Sequence, residues 1–420
     1  MKQCLALFAA ALLLVLSGCS LLPGLAQAEI QPEPASLVLE GSGFLDYGED
    51  LDEVLTSEQE QILHDYFSRQ YLALAKLEST SFGELFSDAR QADYADAALD
   101  LQLELRRMQP LDYSLTGFEY ELEVESITTL EDGSIRIRLT EDSVQNFTAL
   151  PGVDSRRLGT SHHFVLESTG DRWLIRSHTL FDPLLSTLLY EYMDEYAGGQ
   201  WDPGFLRDLD FSQDYIDAVP GYLEEAREQA ELRLEQAEEA RPSDRTAEEP
   251  YDREAAVAYA HQWVEDRSPD WEDYSQDGGN CQNYASQVLL AGGIPMDIQG
   301  NYIWKWYDDT VSNRNTSYGR SSSWSGVKQF MDYASGNTGF GLVAEMNAPY
   351  DTGEPGDLIH MGTDQDWRHT VVIVETVEGE DGSTADYLVN SNTANLQNYP
   401  ASLYGYPDLI LVHILGWNAD

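Results

Sequence analysis

The apolar period of this chain changes partway along, and that change limits the folds open to it. Leu63, Phe67, Tyr71 and Leu74 recur at helical spacing, whereas Phe118, Tyr120, Leu122 and Val124 alternate with polar residues, as do Ile135, Ile137 and Leu139. The first pattern gives a helix one apolar stripe and the second gives a strand one apolar face, so neither segment can take the other's conformation without exposing its core residues. Ser57 and Glu60, at capping-box spacing, predict the start of the first helix. A second helical stretch is expected around residues 88–108. Asp132-Gly133 is a turn signal, and Thr169-Gly170-Asp171 joins the strand-like runs "HHFVLEST" and "DRWLIRSH". Helices followed by an antiparallel meander predict an α+β arrangement. His162, His163 and His178 fall on these strands as neutral surface or edge residues, since no acidic or sulfur ligand with matching spacing accompanies them.

A chain of 420 residues can hold two or three ordinary cores. Its 74 Asp plus Glu against 24 Lys plus Arg leave a formal charge of -50, which repels phosphates and excludes nucleic acid as an expected partner. The same charge repels anionic lipid, so membrane attachment is expected through acyl chains. The beginning, "MKQCLALFAAALLLVLSGCSLLPG", has one Lys, an apolar run and then small residues, the layout of a secretory signal. Leu16-Ser17-Gly18-Cys19 resembles a bacterial lipobox, which implies that Cys19 becomes the lipidated first residue of an extracytoplasmic, membrane-anchored protein. The expected organisation is a signal over 1–18, a tether over 19–48, the α+β region over 49–215, a charged helix and linker over 216–248, and a last domain over 249–420.

With Cys4 and Cys19 in the N-terminal segment, Cys281 has no intramolecular disulfide partner. It stands in "NCQNYASQVLLAGG". A helix beginning at Cys281 carries Tyr284, Ala285, Val288 and Leu289 on the same face as the thiol, and Gly292-Gly293 ends it. A thiol at a helix N-terminus meets unpaired N–H groups and the positive end of the dipole, which favour thiolate. Among its neighbours, Asn280, Asn283 and Gln287 are candidates to support the site, and Asn283 is close enough to the helix start to help position an oxyanion. Downstream, "EPGDLIHMGTDQDWRHTVVIVETV" offers His369 at a strand start as a base, with His360 a wall residue of the preceding strand. The following "YLVNSNTANLQNYP" places Leu388, Asn390 and Asn392 on one strand face, where an amide could orient the imidazole.

Those residues carry a resemblance. "YDREAAVAYAHQW", "NCQNYASQVLLAGG", "PGDLIHM...HTVVIVE" and "NSNTANLQNYP" are similar to the putative amidase domain of bacterial surface and secreted proteins, within the papain-like clan of cell-wall peptidases. The resemblance runs from about Tyr251 to the C-terminus. It implies a papain-like fold with Cys281 as nucleophile, His369 as base and Asn392 as the third member, Asn390 being the alternative, and it implies no cofactor and no metal. Two positions depart from the family's pattern: Asn280 stands where Asp is usual, and Asn392 stands where His is frequent. The expected activity is hydrolysis of a cell-envelope amide, with peptidoglycan stem peptides the natural substrate. The alternatives are a catalytically silent envelope-binding module of the same fold, or acyl transfer to an amine.

Overall fold

In the computed structural model of the chain, the described residues are 40–48, 51, 53–181, 221, 224–229, 232–233, 244–275, 279–308, 318–363, 366–393 and 395–419. The first long helix, α1 (Ser57–Lys76), has its cap one residue earlier than expected. Thr56 is the N-cap, and Gln59 closes the capping box that Ser57 and Glu60 were expected to form. Helix α2 spans Ala89–Arg107, with Asp88 as its cap.

Four strands follow, β2 (Leu115–Thr129), β3 (Ile135–Phe147), β4 (Ser155–Thr169) and β5 (Arg172–Phe181), each antiparallel to the one before it. Tyr66, Phe67 and Tyr71 of α1 pack on Phe118, Tyr120 and Phe164, the alternate residues that the period-two pattern marks as inward. A strand unsignalled in the sequence, β1 (Glu40–Tyr47), adds in parallel to β2. Glycines at 41 and 43 make this possible, since a Cβ there would sit 2.4 Å from Phe118 and 2.0 Å from Tyr120.

His162 and His178 depart from the surface or edge placement expected of them. Both are buried, their rings 5.2 Å apart and parallel, with His162 Nδ1 and His178 Nε2 3.0 Å apart and His162 Nε2 3.1 Å from Glu141 Oε2. Their strand positions face α1, and Tyr71 donates to the other oxygen of Glu141. The pairing partners are distant in sequence, so spacing alone could not show them.

The second half supplies α3 (Arg253–Gln262), α4 (Cys281–Ala291), α5 (Ser322–Ser325) and α6 (Val327–Gly336), then β6 (Gly341–Ala348), β7 (Leu358–Thr363), β8 (Asp366–Glu378), β9 (Thr384–Asn392), β10 (Asn395–Pro400) and β11 (Asp408–Asn418). All the strands join one sheet of 11, ordered β1-β2-β3-β4-β10-β9-β8-β7-β11-β6, with β5 on β4. Strand β4 makes the junction. β3 lies along one of its edges, and its other edge is divided between β5, from Ser161 onward, and β10, which pairs at Arg156–Leu158. Ser155 Oγ donates to the carbonyl of Asn398 at 2.7 Å, and Tyr113 donates to Asp386. The described residues from 40 onward therefore form a single compact unit. The strands on either side of the expected 216–248 linker lie in one sheet.

Candidate active site

Helix α4 lies against β8 and β9, and its first turn is where the candidate residues gather. Gly279, at φ +112°, turns the chain into Asn280, a conformation costly for a residue with a Cβ. The Asn280 N–H donates to Thr393 Oγ1 at 2.7 Å. With its acceptor side engaged, the Thr393 hydroxyl is free to donate to Cys281 Sγ, beside the N–H groups of Thr370, Gln282 and Cys281 itself. The thiol is only 7 % exposed. Burial pushes it above its ordinary range, and the four surrounding donors oppose this without reversing it. The expectation of a resting thiolate weighed the helix terminus and not the burial.

His369 begins the buried run of β8. Burial pushes its imidazole down to about 4, so at neutral pH the ring is uncharged. Its Nε2 lies 3.3 Å from Ser391 Oγ. Because the Ser391 hydroxyl donates to the carbonyl of Thr393 at 3.0 Å, its oxygen accepts from the ring, and the ring carries its proton on Nε2. That tautomer leaves Nδ1 with a lone pair. Tyr404 and Tyr406 flank the imidazole, with ring centroids 5.4 and 6.2 Å away. Among the described residues no hydrogen bond joins Cys281 Sγ to His369. The thiol meets the backbone of Thr370, the next residue along β8.

Among the described residues neither asparagine of β9 hydrogen-bonds to His369. Val372 pairs with Asn390, so strand alternation puts Thr370, Val372, Asn390 and Asn392 on one face and His369, Val371 and Ser391 on the other. Asn392 Oδ1 accepts from Asn280 Nδ2 at 3.2 Å, and its carbonyl accepts from Arg267. Asn390 Oδ1 accepts from the N–H of Asn398, and its amide nitrogen lies 3.2 Å from His261 Nδ1. The structure therefore gives Asn392 a different partner from the one expected. It supports the helix start through Asn280, and the serine between the two asparagines meets the imidazole. Nothing in the isolated strand shows which of its faces His369 shares.

The remaining supporting residues are firmly engaged. Asn280 Oδ1 accepts from the Tyr274 N–H and from Asn283 Nδ2. Asn283, fully buried, also donates to the carbonyl of Glu272 and accepts from Trp324 Nε1 at 2.8 Å. Its amide has no donor left for an oxyanion, contrary to the expected role. Gln287 accepts from the Tyr259 hydroxyl at 3.0 Å, well along the helix from the thiol. Gln282 accepts from Thr370 Oγ1, which in turn lies 2.8 Å from His360 Nδ1, so a buried three-residue chain ties α4 to the sheet and makes His360 part of that support. Thr393 and Ser391 are the functional candidates that sequence reasoning did not single out. Cys19 lies outside the described residues. Among the described residues no group of three or more His, Cys, Asp or Glu could hold a metal ion.

Comparison with known proteins places this corner in a wider setting. YhbB, an uncharacterized protein of Bacillus subtilis (strain 168), is 33% identical over 131 residues, which is 31% of this chain and 39% of YhbB. A solved structure, the intermembrane space region of the chloroplast protein ARC6, aligns at 15% identity with a TM-score of 0.22, over 31% of this chain and 98% of that one. The family model described as a putative amidase domain matches residues 250–415, which hold α3, α4, β8 and β9 with Cys281, His369 and Ser391. Residues 250–415 of this chain are therefore similar to the family described as a putative amidase domain.

Proposed function

We propose that the C-terminal region is a papain-like cysteine amidase, acting outside the cytoplasm on a cell-envelope amide, with peptidoglycan stem peptides as the substrate class. The observation that carries the reading is the placement of His369, buried with Nε2 against Ser391 Oγ and next along β8 to Thr370, whose backbone meets the Cys281 thiol. A neutral imidazole with its proton directed at Ser391 presents an unprotonated Nδ1, which is what a buried neutral thiol needs as proton acceptor in order to react. His369 Nδ1 takes the thiol proton, and Sγ of Cys281 attacks the amide carbonyl. The tetrahedral adduct collapses as the C–N bond breaks and the imidazolium passes its proton to the leaving nitrogen. Water then enters with His369 as base, releases the acid and restores the thiol.

The four donors around Sγ support this assignment, since they hold the sulfur's charge once the proton has left. Catalytic hydrogen bonds commonly tighten only when substrate is bound, so the direct thiol–imidazole contact belongs to the loaded site. Ser391 fixes the tautomer, and Asn392 steadies the first turn through Asn280. The lipobox-like Leu16-Ser17-Gly18-Cys19 supports anchoring by lipid on Cys19, which holds the domain at the envelope where such amides lie.

The test is incubation of purified peptidoglycan fragments with the protein and with its Cys281→Ala variant, followed by mass spectrometry. Cleavage at an amide bond by the wild type alone is the expected result. Unchanged fragments with an alkylatable Cys281 would instead indicate a silent binding module, and coupling of an added amine would indicate acyl transfer.

A further inference from the structure

Tyr404 ends the short 3-10 helix Ala401–Tyr404, and Gly405 follows in the left-handed region at φ +73°. The chain turns there so that Tyr404 and Tyr406 both lie against His369. Tyr404 is 2 % exposed, and its hydroxyl makes no well-formed hydrogen bond among the described residues, its contact being with Ser391. Ser391 lies beside it but has no capacity left. Its proton goes to the Thr393 carbonyl, and its oxygen accepts from the Thr393 N–H and from His369. An orphaned buried donor costs on the order of 1–3 kcal/mol, and phenylalanine would fill the same volume without that cost.

The surroundings say what this donor is for. Burial holds the Tyr404 phenol well above its ordinary range, so it stays protonated and able to donate, and Cys281 lies within electrostatic reach of its hydroxyl. The sulfur already has its own donors in Thr370, Gln282, Cys281 and Thr393. The amide nitrogens of Asn280 and Asn283 are engaged at the helix start with Asn392, Glu272 and Asn280, whereas the Tyr404 hydroxyl is a buried donor with no such duty. We propose that Tyr404 is a catalytic residue of this site, its hydroxyl donating to the oxygen of the tetrahedral adduct formed on Cys281.

This rests on the cysteine-amidase reading. As Sγ bonds to the carbonyl carbon, the π pair moves onto oxygen, and Tyr404 Oη–H stabilises that charge without transferring its proton. When the carbonyl re-forms the pair returns, the C–N bond breaks, and the proton for the leaving nitrogen comes from His369. A donor of this kind strengthens as charge develops, so its loss lowers the rate of acyl chemistry and leaves other reactions of the thiol alone.

The experiment compares wild type, Tyr404→Phe and Cys281→Ala with two small reagents. p-Nitrophenyl acetate acylates a thiol through an oxyanion, and iodoacetamide alkylates it without one. Modification is read by intact mass, and thermal unfolding is followed in parallel. Tyr404→Phe is expected to slow acylation of Cys281 by about 10- to 100-fold while alkylation stays within about threefold and thermal stability is kept or raised. Equal slowing by both reagents, loss of folding, or no change in either rate overturns the assignment. A wild-type Cys281 inert to both reagents refutes the amidase reading itself, and the role of Tyr404 falls with it.

Discussion

Replacing Ser391 by alanine removes one oxygen from the centre of the site and separates the two possible orienting groups for His369. In the wild type that oxygen accepts the Nε2 proton at 3.3 Å, donates to the Thr393 carbonyl at 3.0 Å and accepts from the Thr393 N–H at 3.3 Å. A neutral intramolecular hydrogen bond contributes about 0.5–1.5 kcal/mol net, and a buried donor left unpaired costs about 1–3 kcal/mol. His369 is 6 % exposed, so solvent cannot replace the lost acceptor. With nothing to hold its proton on Nε2, the ring loses about 1.4 kcal/mol of preference for the reactive tautomer, a tenfold fall in competent enzyme. Ser391→Ala should therefore lower kcat on stem peptides by about 10- to 100-fold with KM nearly unchanged. Asn392→Ala breaks the contact to Asn280 at 3.2 Å instead. That change should loosen the helix start, lower the unfolding temperature and leave the imidazole correctly protonated. Steady-state kinetics on the two variants, with nitrogen NMR of the histidine ring to read its tautomer, makes the comparison. Normal turnover and an unchanged tautomer in Ser391→Ala, beside a crippled Asn392→Ala, would refute the assignment of Ser391 and return the role to Asn392.

Other consequences are open to measurement. Because the His369 imidazole is held down to about 4, hydrolysis should persist on acidification until near pH 4, where protonation of the base ends it; an acid limb near pH 6.5 in the kcat/KM profile would show an ordinary, accessible histidine. The same depression means that below pH 6.5 the unfolded chain binds a proton the folded one refuses, so stability should fall between pH 6.5 and 4 by about 3 kcal/mol from this residue, as urea titrations of wild type and His369→Gln would show. Since burial raises the thiol, iodoacetamide should alkylate Cys281 with a midpoint above that of a free thiol, and Thr393→Val, which removes one donor, should move it up by about one pH unit more; a midpoint below a free thiol's would contradict the dominance of burial. At the other end of the chain, Cys19→Ala should release the protein from membranes or block its processing, and mass spectrometry of a mature N-terminus that starts elsewhere without lipid would exclude the anchor.

Some of this was legible in the residues and some was not, for definite physical reasons. Helical spacing in 63–74 and alternation in 118–139 report local burial, and both segments fold as their periods require. Cys281 at a helix start and His369 in a strand were readable because capping glycines and apolar runs are local signals. Ser391 was not, because its role depends on the register of β9 against β8, and a shift of one residue exchanges the faces of a strand. The pairing of β10 with β4 joins residues more than 230 positions apart and leaves no mark in either strand. The state of the thiol was misjudged for a related reason. A helix terminus is visible in sequence, whereas the burial of the thiol arises only when α4, β8 and Thr393 come together.

Everything proposed for this site depends on amide cleavage by Cys281. Mass spectrometry of peptidoglycan fragments after incubation with purified wild-type protein and with Cys281→Ala tests it most directly. The wild type should give new fragments whose combined mass exceeds the parent by one water, about 18 Da, and an acyl adduct on Cys281 in rapidly quenched samples. The alanine variant should give neither. Hydrolysis that survives in Cys281→Ala would contradict the claim.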